Sequence, residues 1–145
     1  MPAMTHTGRA GPALAVGLTI AIVDLALITA YIHLTLGGTL FTLNALGYGA
    51  LAAALVASAI PHPFVRRFAW LPRLGLAAYT AVTIGAYLVM GPYFSLGWVA
   101  KAVEVAILVL LAADLARLYD SPIGVLRAAL ASIRHGTGAG PIPAA

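Results

Sequence analysis

The stretch VDLALITAYIHLTLGGTLFTLNALGY, Val23 to Tyr48, decides how this chain folds. It is two apolar runs that meet at Gly37-Gly38, and it carries Asp24, Tyr31, His33 and Asn44, side chains that are expensive in hydrocarbon without a reason. Followed upstream, the first run begins at Ala13 and reaches Leu36, about 24 residues, enough to cross roughly 30 Å of hydrocarbon with some tilt. Followed downstream, the second run continues from Thr39 to Ile60 and stops at Pro61-His62-Pro63. Two more runs follow, Leu74 to Met90, ended by Gly91-Pro92, and Leu96 to Leu118, ended by Tyr119-Asp120-Ser121-Pro122. Pro72 restarts a helix near its first turn, where a missing N–H costs nothing. The expected fold is therefore all-α, an integral membrane four-helix transmembrane bundle with spans at about 13–36, 39–60, 74–90 and 96–118. The two very short connections make antiparallel neighbours.

Composition points the same way. Of 145 residues, 62% are apolar and 8% charged, and the mean hydropathy is +1.00. A soluble domain carries roughly 25% charged residues, so this chain cannot cover a water-facing surface. The net charge of +4 does not indicate nucleic acid, because the charges cluster at the ends of apolar runs, as topology determinants do. With no cysteine, disulfides, thiolate chemistry and Cys-ligated metals are excluded. The first run is too long for a signal-peptide core of about 7–15 residues and reads as a retained span, a cleaved signal being the alternative.

Lys and Arg positions set the orientation. Arg9 precedes span one, Arg66, Arg67 and Arg73 lie between spans two and three, and Arg117, Arg127 and Arg134 follow or end span four. The Gly37-Gly38 turn and the Gly91–Ser95 turn carry none. The expectation is a multi-pass protein of the cell (plasma) membrane with residues 1–12, the middle loop and the C-terminus cytoplasmic. Lys101 is the exception, about one turn inside span four, where its stem can snorkel. Ser121-Pro122 reads as an N-cap with proline at the first helical position, opening a short amphipathic helix over 121–135. Ile123, Leu126, Leu130 and Ile133 share one face and Arg127 and Arg134 another, which suits the anionic inner leaflet. Residues 136–145, Gly, Pro and Ala for the most part, are expected to be disordered.

Ala45, Gly49, Ala53 and Ala57 recur every four residues in span two, a spacing that lets helices approach closely. Trp70, Trp98 and Tyr93 sit at span ends as interfacial aromatics. Asp24 lies near the middle of span one, where a lone carboxylate costs roughly 2.5–3.5 kcal/mol on insertion scales. It must be protonated, paired or hydrated. Gly17, Asp24, Tyr31 and Thr35 share a face, which is expected to look into the bundle, with Tyr79, Thr80 and Thr83 as partners at similar depth. Asp24 reads either as a proton-bearing or ligand-anchoring carboxylate or as neutral glue between helices.

His33 is nearly opposite Asp24 in angle and about 13 Å away along the axis. A bis-His haem would need a second intramembrane histidine, and His6, His62 and His135 all lie outside the spans, so no haem, metal or other cofactor is expected. In the outer half, every span places a polar group: Tyr31 and His33, Asn44 and Tyr48, Tyr87, and the i, i+3 pair Lys101 and Glu104. This set reads as a shared outward-facing pocket or as an interhelical hydrogen-bond network. Glu104 joins Asp24 as a candidate proton carrier. Asp114 and Arg117 form a second i, i+3 pair, read as an interfacial cap. No nucleophile stands beside a base and no phosphate loop is present, so no catalytic residue is named.

Four segments, Ile32-His33-Leu34, Leu40 through Tyr48, Tyr79-Thr80-Ala81-Val82-Thr83 and Gly97 through Glu104, resemble a family of small four-span membrane proteins of unassigned function seen in haloarchaea, Chloroflexi and related bacteria. The resemblance covers roughly residues 14 to 112. It implies the four-helix architecture and no activity. The functional expectation is a small polytopic membrane protein, non-catalytic, acting as a subunit or scaffold whose polar outer-half pocket binds a lipid or quinone-like ligand. Its partners would be the bilayer and a larger membrane complex or homo-oligomer, with no nucleic acid. The alternatives are a small transporter or proton-conducting element using Asp24 and Glu104, and a membrane enzyme.

Overall fold

The computed structural model describes residues 11–134. His6, His135, the N-terminal segment before Gly11 and the expected disordered tail over 136–145 lie outside the described residues. The described chain is helical throughout, as α1 (Pro12–Leu36), α2 (Thr39–Ala57), α3 (Pro63–Arg67), α4 (Trp70–Met90), α5 (Ser95–Tyr119) and α6 (Pro122–Arg134). Four of these, α1, α2, α4 and α5, are long and apolar enough to cross a membrane.

Local chemistry sets the breaks. Pro12 opens α1 where its missing N–H is no loss. Gly37 and Gly38 both take positive φ, 71° and 84°, so the turn from α1 to α2 uses two successive residues that only glycine adopts without strain. α2 ends at Ala57 rather than at Ile60. The Ser58 hydroxyl donates to the Leu55 carbonyl at 2.6 Å, and the chain unwinds toward Pro61. The segment after it is not a plain loop. His62 caps a short helix, α3, by accepting the Phe64 N–H through Nδ1 at 3.3 Å. α4 then starts at Trp70, one turn earlier than the hydropathy suggests, with Pro72 in its first turn. Gly91 closes α4, and Asp120, at φ 58°, closes α5 in the left-handed region. Ser121 Oγ accepts the Gly124 N–H at 3.0 Å and so caps α6.

α1 packs on α2 and α5, and α4 packs on α5 and α2, so the four long helices enclose one core. Ile22, Ala26, Ala30, Ala45, Tyr48, Ala52, Leu55, Leu76, Ile107 and Leu111 fill it. The buried face of α2 is Ala45, Tyr48, Ala52 and Leu55, which corrects the expected contact along Ala45, Gly49, Ala53 and Ala57: Ala53 and Ala57 are exposed. Close approach occurs at Gly47 instead, where an added Cβ would collide with the Tyr79 ring and hydroxyl. α6 lies against the end of α4 and α5. Trp70 Nε1 donates to Ser132 Oγ at 3.1 Å, and the Arg67 guanidinium donates to the Ser132 carbonyl. Ile123, Leu126, Leu130 and Ile133 stay exposed on the side of α6 away from the bundle.

Candidate functional site

α1 is apolar all round, so only its neighbours fix which side is buried. They bury Ile22, Ala26, Thr29, Ala30 and His33. Asp24, Tyr31, Gly17 and Thr35 are exposed, which reverses the expected direction of that stripe. Tyr31 is 69% exposed and takes no part in the polar cluster below. Thr83, expected beside Asp24, bonds Glu104 instead, and Thr80 is buried in the core.

Glu104 is fully buried on α5 and is the centre of that cluster. Lys101, one turn earlier on the same face, brings Nζ to 2.5 Å from Oε2. Thr83 of α4 donates to Oε2 at 3.1 Å, and Thr29 of α1 donates to Oε1 at 3.4 Å. Three helices thus direct donors at one carboxylate, the arrangement a buried charge requires. The Lys101 ammonium also reaches the Thr83 carbonyl at 3.4 Å and sits 5.4 Å from the centre of the Tyr87 ring. The pair is internally neutral, and both of its members are almost wholly removed from solvent.

His33 stands beside it. Its Nδ1 is 2.7 Å from the Thr29 carbonyl, which can only accept, so Nδ1 carries a proton and donates it there. Nε2 is 3.9 Å from Glu104 Oε1. The ring is 5.9 Å from that of Tyr48 and 6.1 Å from that of Phe41. Tyr48 OH and Thr83 Oγ1 are 2.8 Å apart, which ties α2 to the same group. The Thr83 hydroxyl proton is committed to Glu104 or to the Thr80 carbonyl at 2.9 Å, so Tyr48 is the donor in that bond.

Asn44 lies at the edge of this cluster. Its backbone carbonyl accepts from Tyr79 OH at 3.2 Å, while its side-chain Oδ1, buried, has no partner among the described residues. Thr80 Oγ1 is the other such atom. His33, Asn44, Thr83 and Lys101 form the polar floor of a cleft of about 380 Å³, and its walls are apolar, with Leu40, Phe41, Val82, Ala86, Met90 and Phe94 among them. The cleft opens at the end of the bundle that holds both short connections. Tyr87 stands at its rim, donating to the Phe94 carbonyl at 3.4 Å and meeting Trp98 edge to face at 5.5 Å. Gly97 makes room for it, since a Cβ there would press on the Tyr87 ring.

Of the residues singled out by sequence, His33, Tyr48, Lys101 and Glu104 meet directly, Asn44 and Tyr87 line the same cleft, and Tyr31 and Asp24 face away. Tyr79 and Thr83, expected as partners of Asp24, complete the site, as do Thr29 and Gly97, which the sequence does not separate from ordinary span residues. At the opposite end, Asp114 makes its expected contact with Arg117 and takes a second cation as well. It is fully buried and held by Arg73 Nε at 2.7 Å and Arg117 Nη2 at 2.7 Å. Arg73 Nη1 also donates to Ser58 Oγ at 3.2 Å and to the Ala69 carbonyl at 2.7 Å, joining α2, α4 and α5. Among the described residues no group of three metal-ligating side chains occurs.

No protein-family model, curated protein or solved structure matches this chain.

Proposed function

We propose that the chain is a multi-pass protein of the cell membrane that acts as a non-catalytic subunit or scaffold and binds one lipid-soluble ligand, quinone-like or lipid, in the cleft. The observation that carries this reading is the polar set of His33, Asn44, Thr83 and Lys101 lining an otherwise apolar cleft. His33 and Lys101 line the same cleft, and the Lys101 ammonium is a donor. The set suits a head group with hydroxyls, such as a hydroquinone, whose tail would run along Leu40, Val82 and Met90. The volume falls in the range of about 300–1,000 Å³ usual for small-molecule pockets.

The orientation that accompanies this reading puts both termini, α3 and α6 on the cytoplasmic side and the cleft on the outer side. Arg66, Arg67 and Arg127 at the α3–α6 end support it through the positive-inside rule. The exposed apolar stripe of α6 suits a helix lying on the inner leaflet. The alternative, a transporter or proton-conducting element using Asp24 and Glu104, has less support, because the two carboxylates lie on opposite sides of α1.

The test is thermal unfolding of the detergent-solubilised protein with a short-chain alkylhydroquinone, the matching benzoquinone and an alkane of equal length. The hydroquinone should stabilise most, by about 2.7 kcal/mol at a hundredfold excess over Kd. Asn44→Leu should remove that gain. Equal responses to all three compounds would sink the reading.

A further inference from the structure

The side of α1 turned away from His33 carries a pattern that the bundle itself does not use. Gly17, Asp24 and Tyr31 recur every seven residues, Ile20, Leu27 and Leu34 fall between them at the three-four spacing, and all six are exposed. That is the a/d seam of a helix made to pack on another helix. Asp24 holds the central a position and is the midpoint of α1, twelve residues from Pro12 and twelve from Leu36. At 1.5 Å per residue it stands about 18 Å from either end, the depth farthest from water on both sides. Its carboxyl has no partner among the described residues.

We infer that this seam is the contact between two copies of the chain, α1 against α1 about a two-fold axis normal to the membrane, with the two Asp24 carboxyls meeting on the axis. The inference rests on the membrane-spanning reading above. Insertion gives every copy the same orientation, so a two-fold axis along the normal sets the α1 helices parallel. In a parallel pair each a position faces its own counterpart. A carboxylic acid is then complementary to itself, because one donates its O–H to the other. A non-identical contact within a homo-oligomer would instead need a donor elsewhere on this chain at that depth. The lysine and arginines that the bundle places inside the long helices, Lys101, Arg73 and Arg117, are already paired with Glu104 and Asp114. Gly17, with open space around its Cβ position, allows close approach at the next a position. One polar residue among apolar a and d neighbours also fixes register, since a slip would leave each carboxyl against hydrocarbon.

The sequence contains no cysteine, so single cysteines report proximity without background. Cysteines at Ile20, Leu27 and Leu34 test the seam in native membranes under a mild oxidant. Val82 on α4 and Val109 on α5, 68% and 63% exposed, serve as control positions. The seam variants should give disulfide-linked dimers at least tenfold faster than the controls. In the Leu27→Cys background, Asp24→Asn should keep the cross-link, because an amide both donates and accepts, whereas Asp24→Leu and Asp24→Arg should each slow it at least tenfold. Seam cysteines no faster than the controls, cross-links to a different protein, or an Asp24→Leu variant that cross-links normally would overturn the inference. Release of the chain from membranes by alkaline carbonate would overturn the membrane reading itself. A chain that resists carbonate and fails to cross-link removes only the dimer.

Discussion

Glu104 is the residue on which the upper half of the bundle depends. Its carboxylate takes donors from α1, α4 and its own helix, and it is fully buried. Deleting one member of a buried pair leaves an uncompensated charge, whereas removing both members is often close to neutral. Glu104→Gln and Lys101→Met should each lower stability in detergent by about 3 kcal/mol, and the double variant should recover most of that loss. Thermal unfolding of the four proteins measures the coupling, and additive losses would mean that the two groups do not neutralise one another. Asp114 should behave differently, because it answers two cations. Asp114→Asn strands Arg73, which is buried among Ser58 and the Ala69 carbonyl, so a single Arg117→Gln should not rescue it, while Arg73→Met should. If Arg117→Gln restores the melting temperature of Asp114→Asn as well as Arg73→Met does, the burial of Arg73 is not what makes the charge costly.

Helix length and position were legible in the sequence because an apolar run of about twenty residues has few alternatives in water or in lipid. Helix rotation was not. α1 and α2 are apolar on every side, so no amphipathic face announces the core, and the intuition that a carboxylate must point inward turned α1 the wrong way about. The partners of Glu104 were hidden for a related reason. Thr29 looks like an ordinary span residue, and Thr83 like a partner of Asp24, until three helices converge, while the i, i+3 spacing of Lys101 and Glu104 needs no tertiary information. Small residues misled as well. In α2 the periodic stripe through Gly49 is buried only at Ala45, and close approach occurs at Gly47, which falls outside it. An added Cβ at Gly47 would strike Tyr79, whose hydroxyl donates to the Asn44 carbonyl, whereas Gly49 has open space. Gly47→Ala should therefore destabilise the protein by about 1–2 kcal/mol through displacement of Tyr79 and loss of that bond. Gly49→Ala should be neutral or slightly stabilising, since alanine is the better helix former. Gly47→Ala combined with Tyr79→Phe should cost less than the sum of the two single changes, because the smaller ring tip removes part of the collision. Chemical unfolding in detergent would show this, and equal effects at the two glycines would place the α2–α4 contact elsewhere.

The two ends of the molecule differ in kind. One end carries two short glycine-containing turns without a basic residue and the mouth of the cleft. The other carries α3, α6 and the arginines, yet not all of these arginines count equally toward orientation. Arg73 and Arg117 are bound to Asp114 within the fold, whereas Arg66, Arg67 and Arg127 lie nearer the surface. Orientation is decided by Lys and Arg flanking the spans, in short loops above all, and acidic residues contribute little. A phosphatase that is active only outside the cytoplasm, fused after Arg134, should be inactive. The same enzyme inserted between Gly37 and Gly38 should be active, and that turn has open space beside both glycines. Replacing Arg66 and Arg67 together with alanine should weaken the preference and give a mixed population, since the α2–α4 connection then holds no Lys or Arg. It should also loosen α6 by removing the Arg67 bond to the Ser132 carbonyl. The reverse activity pattern in the parent protein would invert the orientation, place the cleft on the cytoplasmic side and turn the apolar stripe of α6 toward the outer leaflet. An unchanged pattern in the double variant would mean that the basic residues around α6 suffice to set the topology.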